Sequence, residues 1–212
     1  MIKVIGPDWI ATRKLRQALT DVPEEGVFHF GCRAQDKLDQ LRMMERAKVR
    51  MPKFTDKLDD ARKLMEGGAT ILGRFRNHTC GKDIVVNKLK RTCREYWTVY
   101  VPSTEEWRIH IFDGLSIARG KKIFEGVATE ENEIAIRSRG NEYHMTHKVD
   151  PPEGMRDFAR KMVKACGLAY GACDILVGRD GKFYGLEVNT APAMDNYTRA
   201  AYVKAIRRRF AR

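Results

Sequence analysis

The sequence predicts an α+β chain whose strands pair mostly antiparallel, and two observations carry that assignment. Alternating strand-like runs crowd into 70–124 and 170–189, with the hairpin dipeptides Asp113-Gly114 and Asp180-Gly181 joining adjacent runs. Helical spacing of apolar residues is found outside those stretches.

In chain order, "IKVIG" (2–6) and "VFHFG" (27–31) read as short strands flanking a basic helix at "ATRKLRQAL". A helix over 36–49 places Leu38, Leu41, Met44 and Ala47 on one face, with Pro52 as its stop. A second helix begins at Thr55, carries Leu58, Ala61, Leu64 and Met65, and ends at Gly67-Gly68. Strands are expected at 70–75, 83–87, 94–101, 106–112 and 115–124, while the polar stretch 126–150 gives no clear pattern. After Pro151-Pro152, residues 153–166 have helical spacing with Gly167 as cap, and a basic helix covers 196–209. No internal repeat, linker or low-complexity tract interrupts the 212 residues.

Composition narrows the partners. A net charge of +12 favours anions: nucleotide, nucleic acid or an acidic substrate. No apolar run approaches the roughly 20 residues of a membrane span, and "MIKVIGPDWI" lacks a signal-peptide layout, so a cytoplasmic protein is expected. The five cysteines are odd in number and without a C-x-x-C pair, which fits reduced thiols better than disulfides or zinc.

The chemistry concentrates in "CDILVGRDGKFYGLEVN", residues 173–189. A two-residue turn at Asp180-Gly181 sets Asp174 opposite Glu187, with Asn189 on the same face as Glu187. In that register Ile175, Val177, Tyr184, Leu186 and Val188 form the core face, and Ala172, Gly178 and Gly185 leave the other face open. Two carboxylates about 5 Å apart repel by roughly 3 kcal/mol at an effective dielectric of about 20. A divalent cation reverses that sign, and two acids plus an amide suit Mg²⁺. A solvated face whose acids pair with lysines is the competing reading of the same geometry.

A second hairpin at Asp113-Gly114 sets Arg108 opposite Arg119 and Glu106 opposite Lys121, and two facing arginines favour a bound phosphate. A solvated basic strand face is again the alternative. Gly81, in the polar loop of "RFRNHTCGKDIVV", is a weak signal for phosphate held by backbone amides.

Together these residues resemble the ATP-grasp superfamily. Asp174, Glu187 and Asn189 within "DILVGRDGKFYGLEVNTAPAM" are similar to its terminal metal motif. The likeness is strongest to D-alanine–D-alanine ligases, ribosomal-protein glutamate ligases and short bacteriophage ATP-grasp ligases. "DKLDQLRMMERAKVRMPKF" resembles the helix whose lysine, here Lys37, contacts nucleotide phosphate. "ILGRFRNHTCGKDIVV" resembles the phosphate-covering lid, with Arg74 where a lysine is usual. "VYVPSTEEWRIHIF" resembles the hinge that holds adenine through Tyr100 and Val101 and ribose through Glu106. The resemblance spans roughly 30–205. Ala172 stands where an arginine is usual in the D-alanine ligases, and Ala193 where a glycine is usual.

The fold this implies has two α+β lobes gripping nucleotide: an N-terminal lobe over 34–101, with a lid near 70–100, and a core lobe over 102–212. Residues 1–33 would be a truncated remnant of a preceding domain. The implied activity is carboxylate–amine ligation through an acyl-phosphate, using ATP and Mg²⁺ (or Mn²⁺). Asp174, Glu187 and Asn189 would hold metal, and Lys37, Arg74, Gly81, Tyr100, Val101 and Glu106 would bind nucleotide. Arg108, Arg119, Lys121 and Arg139 are the candidate catalytic cations. With Arg137 they form a cationic end suited to an acidic peptide or protein terminus as one substrate. A nucleic-acid- or ribosome-binding protein on a non-catalytic ATP-grasp scaffold is the alternative, motivated by the charge and by "AIRRRFAR".

Overall fold

A computed structural model describes residues 1–31, 36–76, 84–89, 94–124 and 143–211. Three sheets organise them. Strands β1 (Ile2–Ile5) and β2 (Gly26–His29) pair in parallel, with α1 (Ile10–Ala18) between them in sequence. A four-stranded antiparallel sheet has the order β3 (Phe54–Thr55), β6 (Tyr96–Val99), β4 (Ile71–Arg74), β5 (Val85–Val86). A five-stranded antiparallel sheet has the order β11 (Phe183–Asn189), β10 (Tyr170–Gly178), β7 (Ser103–Phe112), β8 (Leu115–Phe124), β9 (Tyr143–Thr146).

Helix α2 (Lys37–Arg46) is capped by Asp36, whose side chain accepts from the Leu38 and Asp39 amides. It ends earlier than Pro52 would dictate, because Lys48 turns left-handed at φ 54°. The next helix, α3 (Leu58–Glu66), starts later than expected, since Phe54 and Thr55 pair with β6 instead. Strand pairing overrides a local helix start there. α4 (Met155–Ala165) ends at Cys166, with Gly167 following at φ 64°. α5 (Asn196–Phe210) is capped by Asp195. β9 lies in the stretch that had no clear sequence pattern, of which residues 126–142 are outside the described residues.

The larger sheet has two unlike faces. One carries the core: Trp107, Ile109 and Ile111 of β7, Cys173 and Ile175 of β10, and Val188 of β11 pack on α2 and α4. The other face is divided. His110 and Phe112 lie against Tyr202 of α5, while Glu106, Arg108, Lys122 and Asp174 form a charged cluster further along the strands. The N-terminal strands, α1 and α5 share a separate core built on Leu15, Phe28, Phe30 and Tyr202. Cys166 and Cys173 are buried thiols outside any disulfide, and burial pushes the Cys166 thiol up to about 11.

Both hairpins depart from ideal register, with different consequences. β10–β11 turns through Arg179, Asp180 and Gly181 rather than two residues: the Gly178 amide donates to Lys182 O at 2.8 Å, and Gly181 sits at φ 73°. Ile175 therefore pairs with Gly185, Leu176 with Tyr184 and Val177 with Phe183. An irregularity between Asp174 and Ile175 then absorbs one residue and restores Asp174 opposite Glu187. Hence Tyr184 shares the Leu176 face and Phe183 and Gly185 the core face, reversing the expected placement. Gly185 gives space to a core side chain, since a Cβ there would lie 2.7 Å from Met162 Cε. The β7–β8 turn has its predicted form, with Asp113 at φ 46° and Gly114 at φ 75°. A register shift between His110 and Ile111 then pairs Arg108 with Gly120, Ile109 with Arg119, Trp107 with Lys121 and Glu106 with Lys122.

Candidate active site

The polar end of the larger sheet is assembled from four elements. β10 supplies Asp174, β11 supplies Glu187 and Asn189, β7 supplies Glu106 and Arg108, and β8 supplies Lys122. Asp174 lies between Glu187 on one side and Arg108 on the other in the ladder. Arg108 donates to both its carboxylate oxygens, Nε at 2.7 Å and Nη2 at 2.8 Å. Lys122 Nζ donates to the Asp174 Oδ2 at 3.1 Å and also to Glu106. Burial alone would raise the Asp174 carboxyl, but Arg108 and then Lys122 outweigh it and hold it well below the usual range. Burial, with the Asp174 charge nearby, pushes Glu106 the other way despite its contact with Lys122.

Lys37 arrives from the first turn of α2. Its ammonium lies 2.5 Å from Glu187 Oε2, with both side chains partly exposed. One turn on, Gln40 fixes α2 to the outer edge of β11: its amide donates to Val188 O at 2.8 Å and accepts from Val188 N at 2.9 Å. Those two bonds satisfy backbone groups of an edge strand and set where Lys37 falls. Asn189 Oδ1 accepts from Ala191 N at 2.8 Å, turning the chain into the loop before α5.

Arg74 of β4 pairs in the ladder with Tyr96 and donates to Thr98 Oγ1 at 3.2 Å. Burial pushes the Tyr96 hydroxyl up to about 12, with the charges of Arg74, Glu187 and Asp36 also acting on it. Tyr100 and Val101 follow β6, and the Tyr100 amide donates to Thr70 O at 2.8 Å.

Several sequence expectations do not converge here. Arg119 does not face Arg108; it lies opposite Ile109, donates to Val149 O and the Tyr197 hydroxyl, and pairs with Asp150 at 3.0 Å. Lys121 lies opposite Trp107 and pairs with Glu105 at 2.5 Å. One shifted residue in β8 is the cause, because it sends Arg119 and Lys121 to the face away from Asp174. Glu106 is buried against Lys122, a poor fit to a solvent-facing ribose contact. Gly81, Arg137 and Arg139 lie outside the described residues. Lys122 and Gln40 are the additions: an adjacent-lysine ambiguity hid the first, and only helix spacing from Lys37 pointed to the second.

Mg²⁺ fits the donor set by chemistry. Asp174, Glu187 and Asn189 offer oxygen on one sheet face, and both carboxylates already carry cationic side chains at the positions where positive charge is needed. Among the described residues no group of three His, Cys, Asp or Glu side chains forms a metal cluster, so the third ligand would have to be an amide such as Asn189.

No protein-family model matches the sequence, and no curated protein matches it. Solved structures do. The ATP-grasp ligase PsnB, complexed with precursor peptide PsnA2 and AMPPNP, superposes with a TM-score of 0.64 at 14% identity, covering 96% of this chain and 68% of that one. D-alanine–D-alanine ligase from Bacillus anthracis gives 0.63 at 12% identity, covering 97% and 94%. The macrocyclase MdnC from Microcystis aeruginosa, bound with precursor peptide MdnA, gives 0.56 at 14% identity, covering 80% and 59%. With a second PsnB structure, bound to a minimal precursor, the chain spans only 62% of its counterpart's length. The fold is that of the ATP-grasp ligases.

Proposed function

We propose that this chain is an ATP-dependent carboxylate–amine ligase. One observation carries the reading: on an ATP-grasp fold, Asp174, Glu187 and Asn189 share a face on which Arg108, Lys122 and Lys37 already meet the two carboxylates. Asp174, Glu187 and Asn189 would hold Mg²⁺, which neutralises nucleotide phosphate. Lys37, Arg108 and Arg74 would bind phosphate oxygens, and Tyr100 and Val101 would line the adenine. A substrate carboxylate would attack the γ-phosphate, releasing ADP, and an amine would then displace phosphate from the acyl-phosphate to form an amide. These steps need positioning and charge compensation more than a protein nucleophile.

An acidic peptide or protein terminus is the substrate class best matched to a net charge of +12. PsnB and MdnC each bind a precursor peptide, which favours a peptide over a small free amino acid. Within the basic motif behind the nucleic-acid reading, Arg207 pairs with Glu24 and Arg209 with Asp113, so those two arginines already have acidic partners in the chain. The deciding experiment is a mass-spectrometric screen of acid and amine pairs with Mg-ATP, Glu187→Gln serving as control. A product mass shifted by loss of water, with matching ADP release absent from the control, supports ligation. Salt-sensitive RNA or DNA binding with no turnover across the screen would favour the alternative.

A further inference from the structure

Among the described residues, each acid on the site face already has a cationic partner from within the chain. Asp174 holds Arg108 and Lys122, Glu106 holds Lys122, and Glu187 holds Lys37. Three carboxylates therefore face three cations. A divalent cation entering alone would give this enclosed face a double positive excess. A polyphosphate entering with it brings the compensating anions, and it offers guanidinium and ammonium groups the same kind of oxygen partner that they leave.

We propose that the face works by partner exchange: Arg108 and Lys37 bar Asp174 and Glu187 to metal until nucleotide phosphate draws them away. This rests on the Mg-nucleotide reading above and adds the order in which that site is assembled. Exposure separates the cations that move from the one that stays. The Lys37 and Arg108 side chains are 27% and 14% exposed, whereas Lys122 is 8% exposed and shared between two acids. Lys122 is the fixed counter-ion that stays against Asp174 while Arg108 is away. Gln40 holds α2 to β11 throughout, so Lys37 changes partner by side-chain rotation alone. Metal and nucleotide then favour each other's binding by the same factor.

Mn²⁺ titration followed by electron paramagnetic resonance tests this without turnover. In the absence of nucleotide, Lys37→Met and Arg108→Gln should each bind Mn²⁺ about tenfold or more tightly than the unmodified chain, because each frees one carboxylate of a competing cation. Lys37 is partly exposed, so Lys37→Met carries the test if Arg108→Gln does not fold. Unchanged Mn²⁺ affinity in Lys37→Met overturns the exchange. A parallel titration with AMPPNP uses Glu187→Gln, which should lose the protein-bound Mn²⁺–AMPPNP signal. If Glu187→Gln retains that signal, the metal-nucleotide reading fails as well. If it loses the signal while Lys37→Met behaves as the unmodified chain, only the exchange fails.

Discussion

Asp174 and Glu187 face each other across one step of a ladder, yet neutralising them should have opposite costs. Glu187 is partly exposed and its pairing with Lys37 is solvent-screened, so Glu187→Gln should abolish ligation while changing stability by less than about 1 kcal/mol. Asp174→Asn leaves Arg108 and Lys122 enclosed with only Glu106 between them and should cost about 3 kcal/mol or more, read by urea denaturation. The penalty should depend on pH in a defined direction. A carboxyl held below its ordinary value stabilises the fold above about pH 4 and loses that contribution as pH falls further. The gap between the unmodified chain and Asp174→Asn should therefore narrow below about pH 4. A gap that widened in acid would contradict the Arg108 pairing. At this scale, the opposition of Asp174 and Glu187 was legible from the hairpin, whereas the Arg108 contact to Asp174 was not, because it crosses to a strand 66 residues away. The role of Lys122 was illegible too, since Lys121 and Lys122 differ only in which face a one-residue shift assigns them.

Strand irregularities decide what the elements present. The β10–β11 hairpin keeps Asp174 opposite Glu187 because a longer turn and a bulge cancel, and the β7–β8 hairpin loses its expected Arg108–Arg119 pair because its bulge stands alone. Turn dipeptides announce a hairpin but say nothing of a bulge further along, so faces near the turns were legible only as far as the first irregularity. Gly185 tests the corrected register. If it faced the open side, a larger residue would be harmless. Facing Met162 of α4, Gly185→Val should destabilise by about 1–3 kcal/mol, and adding Met162→Ala should recover part of the loss. Thermal unfolding of the single and double variants reads this directly.

Across the whole molecule, the excess of positive charge and one buried imidazole set the response to solution conditions. With a net charge of +12, capture of an acidic substrate should weaken with salt, raising KM while leaving kcat nearly unchanged. His110, buried against Tyr202, is pushed by burial down to about 3, so it must stay neutral in the fold. The unfolded chain takes up that proton below about pH 6.5, so stability should fall through the acid range, by on the order of 3 kcal/mol at pH 4. His110→Asn should flatten that slope. The overall class and the two hairpins were legible because alternation and turns are local signals. The division of one sheet face between an α5 contact and a charged cluster was not, since it depends on where a distant helix docks.

The charged cluster also bears on how fast the chain folds. Arg108 and Asp174 are 66 residues apart in sequence, and Lys122 reaches Asp174 across 52. Their charges leave water only after β10 has docked on β7, when most of the sheet is already in place. Loop closure over such separations is slow, and a buried ion cluster that needs both strands already docked should complete late in folding. Stopped-flow measurements should therefore show Asp174→Asn speeding unfolding while leaving the refolding limb almost unmoved. The ion cluster then acts as a brake on opening, so a chain that has found its sheet register keeps it.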